Sequence, residues 1–247
     1  MRTDGNGMRK REVFLSALFP PRCPVCDEPL PMKDWEGRVH PACRKKLTLL
    51  TGAVCMRCGK PVGDRAEYCY DCSQRGDFGI TQAKALFSYR GPAKGMMYRF
   101  KYAGRQEYAS FFAKEAGDRL GEWIRGLGVQ AIVPVPMYQR KQRQRGYNQA
   151  QLFARELSRE VGVRADVGHV CRVRNTRPLK GLTPAQRREN LKNAFSIKNS
   201  EKKYNRILIL DDIYTTGSTA EAVAGVLHAA GTQRVYMLSV CIGQGYE

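Results

Sequence analysis

The chain has 247 residues and carries 42 Lys and Arg against 23 Asp and Glu, a formal charge of +19. With 43% hydrophobic and 26% charged residues it has the balance of a globular protein, which excludes a fibrous chain and a long disordered basic tail. That length accommodates one large domain plus a small one, or two modest ones.

At the start, Arg9 to Phe19 runs from basic to apolar with Val13, Phe14, Ala17 and Leu18 at helical spacing. It reads as a helix docked on the cysteine-rich segment beyond it, with a membrane-surface anchor as the alternative. Its apolar part is far shorter than the ~20 residues of a spanning helix, and no small-residue cleavage site comes after it. A cytoplasmic protein without an integral membrane segment is therefore expected.

Seven of the nine cysteines lie between Cys23 and Cys72. In an unexported chain they read as metal ligands rather than disulfides. Cys55 and Cys58, then Cys69 and Cys72, form two CxxC pairs, the spacing that closes a tetrahedral sulfur site around zinc. Upstream, Cys23 and Cys26 are followed by His40 and Cys43, and the natural reading is a Cys3His zinc site. The alternative leaves His40 as a surface histidine. Both sites have four ligands and no open position, so both zinc ions are structural. The two clusters are candidates for two copies of one small unit.

Composition changes near Asp77. Before it the chain is turn-rich and needs a staple; after it short apolar runs alternate with amphipathic ones. Strands are expected at Ala83–Tyr89, Ala131–Val135, Arg206–Leu210 and Val235–Ile242, and helices at Ala109–Ile124, Gln149–Val161 and Thr219–Ala230. That alternation predicts an α/β sheet. The second part also holds most of the charge, 28 basic against 13 acidic residues.

The segment from Ile207 to Thr219 joins an apolar strand to two acids, Asp211 and Asp212, and then to a loop of Thr215, Thr216, Gly217, Ser218 and Thr219 that opens a helix. Such a loop offers backbone N–H groups, hydroxyls and a helix N-terminus to a phosphate. The carboxylates beside it can accept from a pair of hydroxyls, and phosphate plus diol describes a ribose 5-phosphate. A P-loop reading fails because no GxxxxGK[ST] is present.

This segment resembles the phosphoribosyl pyrophosphate (PRPP) motif of type I phosphoribosyltransferases. Together with Phe19-Pro20-Pro21-Arg22-Cys23, Phe100-Lys101-Tyr102, Val133-Pro134-Val135-Pro136, Arg145-Gly146-Tyr147-Asn148-Gln149 and Arg188-Glu189-Asn190, it makes the chain similar to the ComF family from about Phe19 to the end. The resemblance implies an N-terminal helix and double zinc ribbon over 1–77. Over 78–247 it implies a type I phosphoribosyltransferase-like domain, a mostly parallel sheet with helices on both faces. Asp211 and Asp212 would face the ribose hydroxyls, and Thr215 to Thr219 would hold the 5-phosphate of PRPP bound with magnesium. No catalytic residue or acceptor is assigned, and whether transfer occurs is left open. The resemblance also implies support of DNA uptake in natural transformation through single-stranded DNA. Partners are then expected in the DNA-uptake machinery, at the inner face of the membrane. The other reading is an active phosphoribosyltransferase of nucleotide metabolism with no DNA role.

Two basic stretches lack acids. Arg140, Lys141, Arg143 and Arg145 fall within 137–145, and Lys180 lies among the arginines of 167–188. They can neutralise pyrophosphate or follow a DNA backbone, or they form a solvated face. Tyr138 and Tyr147 interleave the first stretch as candidates for base stacking.

Overall fold

The computed structural model describes residues 20–74, 79–177 and 181–243. The expected Arg9–Phe19 helix, the boundary at 77/78 and Lys180 lie outside them.

The two cysteine clusters fold as copies of one unit. In each, a CxxC turn is closed by a residue in the left-handed region, Asp27 (φ 66) or Gly59 (φ 76). A short antiparallel bridge then pairs Arg22 with Pro29 in the first copy and Val54 with Pro61 in the second. The later ligand pair brackets the start of a short helix each time, with Cys43 in α1 (Pro41–Arg44) and Cys72 in α2 (Tyr70–Gln74). Glycine is required at 59 because a Cβ there would lie 2.6 Å from the Ala83 carbonyl oxygen.

Beyond the ribbons come β1 (Gln82–Ser88), α3 (Pro92–Tyr102), α4 (Tyr108–Gly126), β2 (Ala131–Pro134), α5 (Gln139–Arg145) and α6 (Gln149–Val161). These are followed by β3 (Val170–Arg172), α7 (Pro184–Leu191), β4 (Phe195–Ile197), β5 (Arg206–Tyr214), α8 (Ser218–Ala229) and β6 (Arg234–Ile242). Four strands form a parallel sheet in the order β1-β6-β5-β2, and β3 and β4 form a separate antiparallel pair.

Alternation along the strands builds two cores. Leu208, Leu210, Tyr236 and Leu238 face one side, where Phe112 of α4 and Phe153 and Leu157 of α6 cover them. Ile207, Ile209, Val235 and Met237 face the other, against Val223 and Leu227 of α8. The expected α/β sheet with helices on both faces is thus present, and here it is wholly parallel.

The ribbons straddle one edge of this sheet. Leu30, Val39 and Leu47 of the first copy join the α4 side of the core, whereas Cys55, Cys58 and Cys72 of the second join the α8 side. The chain between them covers edge strand β1: Leu49 bridges to Phe87, and the Ser88 N–H donates to the Thr48 carbonyl at 3.0 Å.

Among the described residues beyond the ribbons, three helices were not expected from periodicity. α3 begins at Pro92, in the first helical turn, after Gly91. α5 reads Gln-Arg-Lys-Gln-Arg-Gln-Arg and buries no residue, so it has no apolar period to detect. α7 is set by a capping box in which Thr183 Oγ1 accepts from the Gln186 N–H and Gln186 Oε1 accepts from the Thr183 N–H. β5 also continues past the expected Leu210, carrying the acid pair inside the strand.

Candidate functional site

Each metal cluster has a complete donor set. In Cys23, Cys26, His40 and Cys43, and again in Cys55, Cys58, Cys69 and Cys72, the ligand atoms lie within 4.8 Å of one another. Ligands on a tetrahedral zinc stand about 3.8 Å apart, so both sets fit that ion. His40 turns Nδ1 toward Cys26 Sγ at 3.4 Å, which places it in the first set rather than on a free loop. With four protein donors each, these are structural zinc-binding clusters.

The acid pair stands at the C-terminal edge of the sheet, where open α/β sheets bind ligands. Pro134, the last residue of β2, pairs with Leu210, so Asp211 begins one residue beyond the end of that neighbour. Asp211 Oδ1 accepts from the Asp212 N–H at 2.8 Å. Burial, then the adjacent Asp212 charge, push the Asp211 carboxyl up to about 7, against pulls from Lys101 and Arg172. Lys101, from α3, reaches Asp212 at 2.9 Å. Burial alone would lower its pKa, but the Asp212 carboxylate outweighs burial and holds the ammonium above its ordinary value.

Immediately after β5 the loop turns into α8 through Gly217 (φ 78). A Cβ there would meet the Tyr214 ring at 2.9 Å. Thr216 Oγ1 and Ser218 Oγ lie 3.1 Å apart, bonded to each other. A cavity of about 20 Å³ lies among Tyr214, Thr215 to Thr219 and Met237, room for about one water. Arg187 of α7 already caps the loop, its Nη1 donating to Thr215 Oγ1 at 3.2 Å and Thr216 Oγ1 at 3.3 Å.

The basic stretch divides its tasks. Arg140 and Arg143 line a groove of about 700 Å³ with Tyr138, Cys171 and Arg172. Lys141 donates to the Thr176 carbonyl at 3.2 Å, and its pKa is lowered by burial and then by Arg172 and Arg145. Arg145 turns to the Tyr102 ring, 4.9 Å from its centroid, and donates to Gln149 Oε1 at 2.8 Å. Tyr147 is not available for base stacking. It is buried, and its hydroxyl donates to the Phe100 carbonyl at 2.7 Å.

Sequence reading placed Arg172 and Arg187 in the acid-free basic stretch of 167–188 but singled out neither as a member of this site. Arg172 packs over Phe195 at 5.3 Å and bonds Thr176 Oγ1, while its buried Nε finds no partner among the described residues. Burial lowers its pKa, and Asp211 opposes that. Only tertiary contact distinguishes these two arginines from the other basic residues of 167–188. Lys101 was legible as part of a family segment, but its partner was not.

A double zinc ribbon carried on a parallel α/β sheet, with an acid pair leading into a hydroxyl–glycine loop at the strand ends, defines a zinc-ribbon protein with a phosphoribosyltransferase-like domain. Residues 14–73 match the double zinc ribbon domain family. The competence protein F of Haemophilus influenzae is 31% identical over 78% of this chain and 85% of its own length. The DNA utilization protein YhgH of Escherichia coli O6:H1 is 30% identical over 90% and 97% respectively. The chain belongs to the ComF family. A purine phosphoribosyltransferase from Pyrococcus horikoshii aligns over 53% of this chain and 74% of its own, at 18% identity and a TM-score of 0.36. Among the described residues, no helix is long and apolar enough to cross a membrane.

Proposed function

We propose that this protein binds PRPP at the end of β5 and supports DNA uptake by binding single-stranded DNA. The observation that carries the first part is the continuous run from the acid pair into the hydroxyl–glycine loop. Thr215, Thr216, Gly217, Ser218 and Thr219 hold the 5-phosphate with backbone and hydroxyl donors, and Asp211 and Asp212 accept from the ribose hydroxyls. Lys101 holds Asp212 in place for that task through their ion pair. Magnesium bound with PRPP would supply charge neutralisation for its diphosphate. Arg187 has to move from the threonine hydroxyls to the incoming phosphate, exchanging a neutral acceptor for a charged one.

Calorimetric titration of magnesium PRPP into the zinc-loaded protein tests this. Binding is expected in the wild type and lost in Asp211→Ala/Asp212→Ala; no heat in the wild type overturns the reading.

The DNA part rests on the groove of Arg140, Arg143 and Arg172 and on the charge of the larger part of the chain, supported by relatives named for competence and DNA utilization. Anisotropy of a labelled strand should show affinity that falls steeply as salt rises. Negligible affinity at low salt, or a flat salt response, sinks it.

A further inference from the structure

Helix α3 is held on two sides and open on a third. Arg99 donates to the Pro24 and Val25 carbonyls of the first zinc knuckle at 2.9 and 2.7 Å. Lys101 pairs with Asp212. The helix end is tied down by Tyr147 and Gln149, which both donate to the Phe100 carbonyl. These contacts point Tyr98 and Tyr102, one turn apart, into solvent, 63% and 64% exposed.

The two rings touch each other with centroids 5.3 Å apart. Among the described residues this is the only ring–ring contact made by two exposed side chains. The Arg145 guanidinium against Tyr102 belongs to a helix of four basic and no acidic residues counted from 139 to 145. Large apolar faces left in water are costly unless something covers them, and a cationic helix beside them selects a polyanion.

We propose that Tyr98 and Tyr102, with Arg145 braced against Tyr102, form a platform on which unpaired bases of single-stranded DNA stack next to the acid pair. Flat aromatic faces take any base, and the arginine adds a cation–π component. Because α3 is anchored at Arg99, Lys101 and its C-terminal carbonyl, little ordering is required when a base arrives. The platform rests on the single-stranded DNA reading above and adds to it the surface that touches the bases rather than the phosphates.

The test compares an oligothymidine strand with an abasic strand of equal length, by anisotropy on the full zinc-loaded chain. The wild type should prefer the base-bearing strand by roughly tenfold. Tyr98→Ala/Tyr102→Ala should erase that preference while leaving abasic affinity and salt slope unchanged, and Tyr98→Phe/Tyr102→Phe should retain it. Zinc content and unfolding midpoint confirm that the alanine variant is folded. If the wild type binds both strands alike, as it would were the rings a seat for a protein partner, or if the preference survives in the alanine variant, the platform is overturned while DNA binding stands. If neither strand binds, the DNA reading fails and takes the platform with it.

Discussion

Asp211 carries the sharpest electrostatic consequence at the level of single residues. Its carboxyl is raised to about 7 by burial and by Asp212, with Lys101 and Arg172 pulling the other way. A folded-state pKa above the unfolded value means that the folded protein binds the extra proton. Stability is therefore present at low pH and lost as pH rises from about 4 to about 7. Asp211→Asn removes that loss. Its gain in thermal midpoint over wild type should be small near pH 4, grow through this window and level off above 7; thermal scans across the range read it. A gain that stays constant with pH contradicts a raised carboxyl. The same charge cluster explains why Lys101 had a partner no spacing could reveal: α3 and β5 are joined only by the fold.

The element that organises the site is the corner between α5 and α6. Gly146 ends α5 in the left-handed region (φ 86), which lets the chain reverse direction. Asn148 then caps α6 by accepting from the Ala150 N–H at 3.1 Å and donates to the Val135 carbonyl at 3.0 Å. Tyr147 and Gln149 meet the last turn of α3. The segment Tyr147 to Gln149 is thus a buried joint linking α3, the end of β2 and α6. Asn148→Ala loses a cap and leaves a buried carbonyl unpaired, a cost of about 2 kcal/mol measurable by denaturant titration. An effect within a few tenths of a kcal/mol would mean that the joint is not stabilising.

Across the whole molecule, the ribbons are structural parts of the α/β domain. One copy packs on each face of the sheet, and the chain between them covers β1. Arg44 of the first copy also meets the buried Glu115 of α4 at 2.9 Å. Zinc removal should therefore lower the stability of the entire chain. Under a strong chelator, near-ultraviolet and far-ultraviolet circular dichroism should lose signal together at a lowered midpoint. Two separate transitions would show that ribbon and sheet unfold independently.

Cysteine spacing, strand alternation and the run from Asp211 to Thr219 are local patterns, and they determined the metal ligands, the main strands and helices and the candidate site, because each repeats or closes within a few residues. The tertiary structure alone decided the rest. It brought Lys101 to Asp212, Arg187 to the threonine hydroxyls and Arg172 into the groove, and it buried Tyr147 while exposing Tyr98 and Tyr102. These side chains are set by contacts between elements distant in the chain, and α5, with no apolar period, had no local signal at all. Where a basic or aromatic residue ends up is decided by which neighbours its element meets, and only the folded chain supplies those neighbours.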